Sequence, residues 1–146
     1  MRGVVEVSLY YQTLALPQRL DSLVAQPSET LRLASDAESG TTATEYSKLK
    51  EVYCRVAGLW RVRFDLRSSS SAYTAYACIY RNGVVYGTSK STTSTTYVTF
   101  TEDMYFGANE YIQVYGYISS AYGGVYVRNF RFYGDFIVAI TLNTLT

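Results

Sequence analysis

The stretch Trp60-Arg61-Val62-Arg63-Phe64-Asp65-Leu66-Arg67 decides the fold class of this chain. Apolar and charged residues alternate through the whole stretch, which is the period-2 pattern of a β-strand with one buried and one solvated face. The same alternation predicts a strand over 111–118, with Ile112, Val114 and Ile118 facing inward. The outward positions of that strand are held by Tyr111, Gln113, Tyr115 and Tyr117.

Short apolar runs separated by turn residues continue the strand pattern along the chain. Asn82-Gly83 lies between two of these runs and predicts a tight hairpin, because both central residues of a type I′ turn need a positive φ. About eight to ten short strands, with no helix long enough to cover a sheet, are typical of a two-sheet sandwich or a barrel. The remaining strands are predicted over 4–11, 26–33, 45–56, 73–80, 84–86, 96–100, 125–133 and 136–142.

The 146 residues predict a single domain that carries a distinct N-terminal segment. A polar loop separates residues 1–40, predicted as a strand and an extended arm, from a β-sandwich body over 41–146. Val5, Val7 and Leu9 share one face of the first strand and are the candidate contacts of the arm. Two alternatives stay open: the arm adds a strand to its own sheet, or it crosses to a neighbouring subunit by strand addition. The length of the arm favours the second alternative.

Net charge and hydropathy exclude two classes of partner. The chain has 13 Lys and Arg residues against 12 Asp and Glu residues, a net charge of +1, so we expect no nucleic-acid binding through a basic surface. No apolar run approaches the roughly 18 residues of a transmembrane helix, so we expect no membrane insertion. Glu6 interrupts the first apolar run before a signal-peptide core forms, and we expect synthesis in the cytoplasm without a signal peptide.

Catalytic and metal-binding residue types are scarce. The absence of His removes the usual general base and the commonest metal ligand, and nothing obvious activates a Ser or Thr hydroxyl. Two acidic pairs, Asp36 with Glu38 and Glu102 with Asp103, supply oxygen ligands of the kind a hard cation prefers. No complete calcium-loop pattern surrounds them, which favours solvated turn acids. We therefore predict a protein that is not an enzyme and that needs no cofactor or metal.

The sequence also predicts the environments of two cysteines and two lysines that lie in the predicted strands. Cys54 and Cys78 each lie in an apolar run, which predicts two buried thiols that pack as small hydrophobic groups. A cross-strand disulfide is the alternative, if the two strands are neighbours. Lys48 and Lys50 lie beside glutamates in a polar, alternating segment, which predicts solvated ion pairs.

Arg61, Arg63 and Arg67 share the solvated face of the strand quoted first and form the first candidate surface. Three guanidinium groups at strand spacing suit an anion, an acidic sugar or an acidic neighbouring subunit. The alternative, which we favour, is a solvated strand face on which Asp65 lowers the repulsion between the arginines.

Tyr111, Tyr115 and Tyr117 form the second candidate surface, on the outward face of their strand. Tyr combines a large contact area with one hydroxyl group at low entropic cost, and interfaces and sugar sites concentrate it for that reason. Three interpretations compete: a subunit interface, a carbohydrate platform and an ordinary β-sheet surface. We favour the subunit interface.

Four segments, Cys54–Phe64, Tyr80–Gly83, Phe106–Val114 and Asn129–Gly134, follow one another in a recognisable order. They are a strand entered by a tight turn, a hairpin, a strand-turn-strand unit and a terminal aromatic-glycine strand. Over residues 53–134 this order resembles the jelly roll of the complement globular-head and tumour-necrosis-factor superfamily. The resemblance implies an antiparallel two-sheet jelly-roll sandwich that assembles as a trimer. It implies no receptor or complement activity. The sequence departs from the family in its Ala-Asn-Glu turn, in its first 40 residues and in the residues that follow the last segment.

Composition and resemblance together predict an assembly protein. A short, His-free chain rich in Tyr, Thr and Ser, with an N-terminal arm, is also similar to capsid, decoration and tail-fibre proteins of bacteriophages and archaeal viruses. We expect a non-enzymatic structural protein that self-associates, with a trimer favoured, and that contacts other proteins of a virion or an extracellular assembly. The alternative is a β-sandwich module that binds a carbohydrate or a receptor.

Overall fold

The computed structural model describes residues 23–138, and those residues form ten β-strands in two sheets. The sheets pack face to face as an open sandwich, which confirms the all-β, two-sheet prediction. Among the same residues, no helix has the length and apolar character that a membrane span requires. The strands are β1 (Leu23–Ser35), β2 (Ser39–Thr41), β3 (Ser47–Cys54), β4 (Gly58–Ser68), β5 (Ala75–Arg81), β6 (Val84–Val85), β7 (Lys90–Thr92), β8 (Val98–Phe106), β9 (Glu110–Ile118) and β10 (Val125–Val138).

Sheet A contains β1, β2, β4, β8 and β10. β10 pairs antiparallel with β1, β2 and β4, and β4 pairs antiparallel with β8. The strand predicted over 60–67 is β4. Its apolar side chains, Trp60, Val62, Phe64 and Leu66, are buried between the sheets, as the alternation predicts.

Sheet B contains β3, β5, β6, β7 and β9, with β9 between β3 and β5. Asn82 and Gly83 have φ angles of 50° and 79°, which confirms the predicted hairpin between β5 and β6. Ile112, Val114 and Ile118 are fully buried, as predicted. The chain crosses between the sheets from β2 to β3, from β3 to β4, from β4 to β5, from β7 to β8, from β8 to β9 and from β9 to β10.

The described part of the N-terminal segment joins the sandwich of its own chain. β1 is longer than the strand predicted over 26–33, and it pairs with β10 of the same chain along most of its length. In this part, the strand is therefore added to the chain's own sheet. The strand predicted over 4–11, with the candidate contacts Val5, Val7 and Leu9, lies outside the described residues.

β10 corrects the prediction for the C-terminal part of the chain. The sequence predicts two strands, over 125–133 and 136–142, but β10 continues through Gly134 without a break. Gly134 makes no turn there, because it lies against the Trp60 ring, where a Cβ atom would come within 3.1 Å of the indole. A side chain at this position would therefore be tightly packed against Trp60 and the Gln26 carbonyl. The residues after Val138 lie outside the described part.

β8 corrects a second prediction. It extends well beyond the strand predicted over 96–100, and it contains Glu102 and Asp103. The prediction that these two residues are turn acids is therefore wrong. β8 pairs with β4 along the whole length of β8. Pairing with β4 therefore determines the length of β8 more than the alternation of the β8 side chains does.

Both cysteines are buried free thiols, as predicted. Cys54 belongs to the core between the sheets, which is dominated by aromatic and branched side chains. β9 separates β3, which carries Cys54, from β5, which carries Cys78. The two strands are not neighbours, and this excludes the disulfide alternative.

Lys50 corrects the prediction of two solvated lysines. β3 has a register shift between Lys48 and Lys50, so the two side chains do not share a face. Lys48 makes the predicted exposed ion pair, with Glu51 at 3.3 Å. Lys50 is 8% exposed and donates to the carbonyl of Ala37, and burial lowers the pKa of its ammonium group.

Candidate binding surfaces

The outer face of sheet A carries arginines that are engaged by acidic side chains. Arg61 donates to both carboxylate oxygens of Asp103, at 3.0 and 3.1 Å, and to Glu29 at 2.8 Å. Arg63 Nη1 lies 2.8 Å from the other oxygen of Glu29. Glu29 thus bridges two arginines, and their hydrogen bonds, first that of Arg63, lower the pKa of its carboxyl. We call this surface the arginine face; its arginines are Arg61, Arg63, Arg67, Arg128 and Arg131.

Arg67 lies apart from this pair, so the structure does not bring the three predicted arginines to one anion site. Its guanidinium lies between the rings of Tyr97 and Tyr126, 5.3 and 4.1 Å from their centroids. Its Nη2 is 3.4 Å from Glu38, which also accepts the Tyr97 hydroxyl. Two aromatic rings and a carboxylate therefore hold Arg67 in place.

Asp65 has partners other than the arginines of its own strand. It is 8% exposed, and its Oδ1 accepts the Thr99 hydroxyl at 2.7 Å. Its Oδ2 accepts the Asn129 amide at 2.9 Å and Arg128 Nε at 3.3 Å. Among the described residues, the hydrogen bonds of Asp65 go to these groups and not to the β4 arginines, and the effect of its charge on the repulsion between those arginines stays a prediction. Asp65 ties β4 to β8 and β10.

Two arginines that the sequence patterns did not single out complete the arginine face. Arg128 and Arg131 are three residues apart, so a regular strand would direct them to opposite faces. A register shift in β10 between them, with Asn129 at a φ of 52°, places both on the outer face. Arg131 lies directly opposite Arg63 in the sheet and donates to both oxygens of Asp36, at 2.8 and 3.0 Å.

A depression of about 320 Å³ opens on the arginine face where β4, β8 and β10 run side by side. Two of its lining residues are the opposed arginines Arg63 and Arg131. The Arg63 guanidinium packs over the Tyr133 ring, 4.7 Å from its centroid. We call this site the arginine depression; it is lined by Arg63, Asp65, Thr99, Asn129, Arg131 and Tyr133.

The outer face of sheet B carries five tyrosines that pack against one another, and we call them the tyrosine cluster. Tyr115 stacks on Tyr80 with ring centroids 3.9 Å apart, and Tyr117 stacks on Tyr76 at 4.5 Å. Tyr46 packs edge-on against Tyr117 at 4.7 Å. Desolvation raises the pKa of the Tyr80 and Tyr117 hydroxyls. In each stacked pair, one face of each ring is covered by the partner ring. The covered faces cannot stack on a sugar ring.

Tyr111 lies apart from the tyrosine cluster. Its ring packs against Tyr53 at 4.8 Å and is 50% exposed. Gln113, predicted on the same exposed face, is 4% exposed because hydrogen bonds hold its side-chain amide against the sheet. The three candidate tyrosines therefore do not form one surface: Tyr115 and Tyr117 belong to the cluster, and Tyr111 lies at one end of the sandwich.

Exposed hydrophobic side chains concentrate at that end. β4 begins at that end, and the last residues of β8 pair with the first residues of β4. The Tyr86 hydroxyl, beside the β5–β6 hairpin, donates to the Tyr105 carbonyl of β8 at 2.7 Å. β1 begins and β10 ends at the same end, with the Phe136 ring packed 5.8 Å from Trp60. We call this region of the sandwich the apolar end, with Leu59 and Tyr105 on the outer side of sheet A and Tyr111 on the outer side of sheet B. It comprises Leu23, Leu59, Val84, Val85, Tyr86, Tyr105, Tyr111, Phe136, Ile137 and Val138.

Most of the exposed large hydrophobic side chains of the described residues lie at the apolar end. Among the described residues, Leu31 and Tyr122 are the only large hydrophobic side chains that are exposed elsewhere. Val84, in the hairpin, is 66% exposed. Clustered exposure of this kind is typical of interaction surfaces, whereas single scattered exposed side chains are ordinary.

Comparisons with known proteins identify no relative of this chain. No family model matches it, and no curated protein matches it. The resemblance of residues 53–134 to the complement globular-head and tumour-necrosis-factor superfamily therefore rests on the order of strands and turns alone.

Proposed function

We propose that this protein is a non-enzymatic structural subunit that self-associates, as a homotrimer, within a virion or an extracellular assembly. The observation that carries the proposal is the apolar end, where exposed hydrophobic side chains from several strands lie at the same end of the sandwich. Burial of such a surface against another protein removes apolar area from water, which is the main favourable term in association. The trimeric number is what the family resemblance implies.

A second copy of the same chain is the proposed occupant of the apolar end. The net charge of +1 produces little long-range repulsion between copies. Exposed Tyr and Phe side chains are among the types that protein interfaces concentrate, and Tyr86, Tyr105, Tyr111 and Phe136 supply four of them. These features support self-association through the apolar end more than through the ion-paired arginine face.

A matched pair of substitutions tests this assignment. Tyr111 belongs to the apolar end and is 50% exposed, whereas Tyr122 is 91% exposed and lies outside it, in the turn between β9 and β10. We expect Tyr111→Ser to shift the full-length protein toward smaller species in sedimentation velocity, and Tyr122→Ser to leave the distribution unchanged. Val84→Lys, which places a charge in the hairpin, is expected to dissociate the assembly further.

Circular dichroism that matches the unsubstituted protein serves as the folding control for all three variants. Equal sedimentation of the Tyr111→Ser and Tyr122→Ser proteins, with Val84→Lys also unchanged, would contradict the assignment of the interface to the apolar end.

A further inference from the structure

The arginine depression brings two positive side chains together, and the carboxylates that pair with them, those of Glu29 and Asp36, are not among its lining residues. Arg63 on β4 and Arg131 on β10 are directly opposed residues of an antiparallel pair. Like charges at directly opposed positions destabilise a sheet, and an anion that contacts both removes this repulsion. Asp65, the acid that lines the depression, already accepts hydrogen bonds from β8 and β10.

The acids that do pair with these arginines come from β1 and from the segment that follows it. Glu29 pairs with Arg63 and is 64% exposed at its side chain, and Asp36 pairs with Arg131 and is 49% exposed. Exposed ion pairs of this kind contribute little net free energy, because water solvates each partner well. The carboxylate of a ligand can therefore exchange with Glu29 or Asp36 at low cost.

The remaining lining groups suit hydroxyl groups rather than a second charge. Thr99 and Tyr133 carry hydroxyls, Asn129 carries an amide, and Asp65 carries carboxylate oxygens, so both donors and acceptors face the depression. The Arg63 guanidinium packs on the Tyr133 ring, and this contact fixes the direction of its N–H donors. The volume of about 320 Å³ lies at the small end of the range for ligand sites.

We infer that the arginine depression binds a small sugar that carries a carboxylate, with Arg63 and Arg131 on the carboxylate and with Asp65, Thr99 and Asn129 on the hydroxyls. This assignment does not depend on self-association of the chain. It uses Arg63 from the first candidate surface predicted from the sequence and adds Arg131, which the register of β10 places directly opposite Arg63.

Three probes separate the charge from the hydroxyl groups in saturation-transfer NMR on the full-length protein. Glucuronate carries both features, acetate carries the carboxylate alone, and glucose carries the hydroxyls alone. We expect saturable binding of glucuronate, at least about tenfold weaker binding of acetate, and no binding of glucose. Glucuronate binding is expected to weaken as salt is added, because the side chains of Arg63 and Arg131 are partly exposed to solvent.

Charge-matched variants locate the site. Arg63→Gln and Arg131→Gln are expected to weaken glucuronate binding about tenfold or more, whereas Arg55→Gln, which removes one exposed positive charge elsewhere, leaves it unchanged. Glu29→Gln removes the internal competitor of Arg63 and is expected to strengthen binding.

Several results would overturn the inference. They are an absence of glucuronate binding, equal binding of acetate and glucuronate, and equal weakening by Arg55→Gln and Arg131→Gln. Circular dichroism confirms the fold of each variant before its titration.

Discussion

Asp65 is a nearly buried carboxylate that joins three strands, and its partners give it a larger energetic role than any exposed acid on the same face. We predict that Asp65→Ala lowers the free energy of unfolding by about 2–3 kcal/mol, because donors on β8 and β10 lose their charged acceptor. Asp103→Ala is the matched control: its carboxylate is 38% exposed and pairs with Arg61, so its loss costs about 1 kcal/mol or less. Urea unfolding followed by circular dichroism measures both values. Equal losses in the two variants would contradict the assigned role of Asp65.

The two thiols give a second test at the residue scale. Cys54 and Cys78 are 1% and 2% exposed, and desolvation is the first cause that raises the pKa of each. We predict that neither thiol of the native protein reacts with an aromatic disulfide reagent near neutral pH, while both react once urea unfolds the chain. Rapid reaction of a thiol in the native protein would show that its strand is less well packed than described.

At the scale of the elements, the start of β4 depends on a backbone contact that only glycine allows. Gly58 has a φ of 143°, and a Cβ atom there would lie 2.3 Å from the Ala25 carbonyl oxygen of β1. We predict that Gly58→Ala lowers the free energy of unfolding by more than about 3 kcal/mol, since β1 must move in addition to the backbone strain.

Gly83 is the matched control for Gly58. Its φ of 79° also strains an L-residue, but nothing lies within 4 Å of its added Cβ atom. Gly83→Ala should therefore lower the free energy of unfolding by about 1–2 kcal/mol, because it adds backbone strain without a steric clash. Thermal and urea unfolding compare the two variants, and similar stabilities would argue against the close contact between β1 and β4.

The elements that the sequence predicts well are those whose pattern is local. The alternation of β4 and the Asn82-Gly83 hairpin follow from neighbouring residues, and the structure confirms both. β8 and β10 were predicted too short or broken, because pairing with β4 and packing against Trp60 set their extent. The apolar alternation changes phase between Val127 and Phe130, and this change is the signal in the sequence that marks the register shift beside Arg131.

At the scale of the whole molecule, the apolar end could not be predicted from the sequence. Its side chains come from positions between 23 and 138, and the order of strands in the two sheets brings them to one end of the sandwich. The arginine depression has the same origin, since Arg63 and Arg131 are distant in sequence and opposed in the sheet. The candidate tyrosines, by contrast, were recognised by local alternation, but their contacts with Tyr76 and Tyr80 needed the sheet register.

Self-association is the central claim about the whole molecule, and native mass spectrometry of the full-length protein at micromolar concentration tests it most directly. We predict a dominant species with the mass of three chains of 16.4 kDa each. A spectrum that contains only the 16.4 kDa monomer under these conditions would contradict the claim.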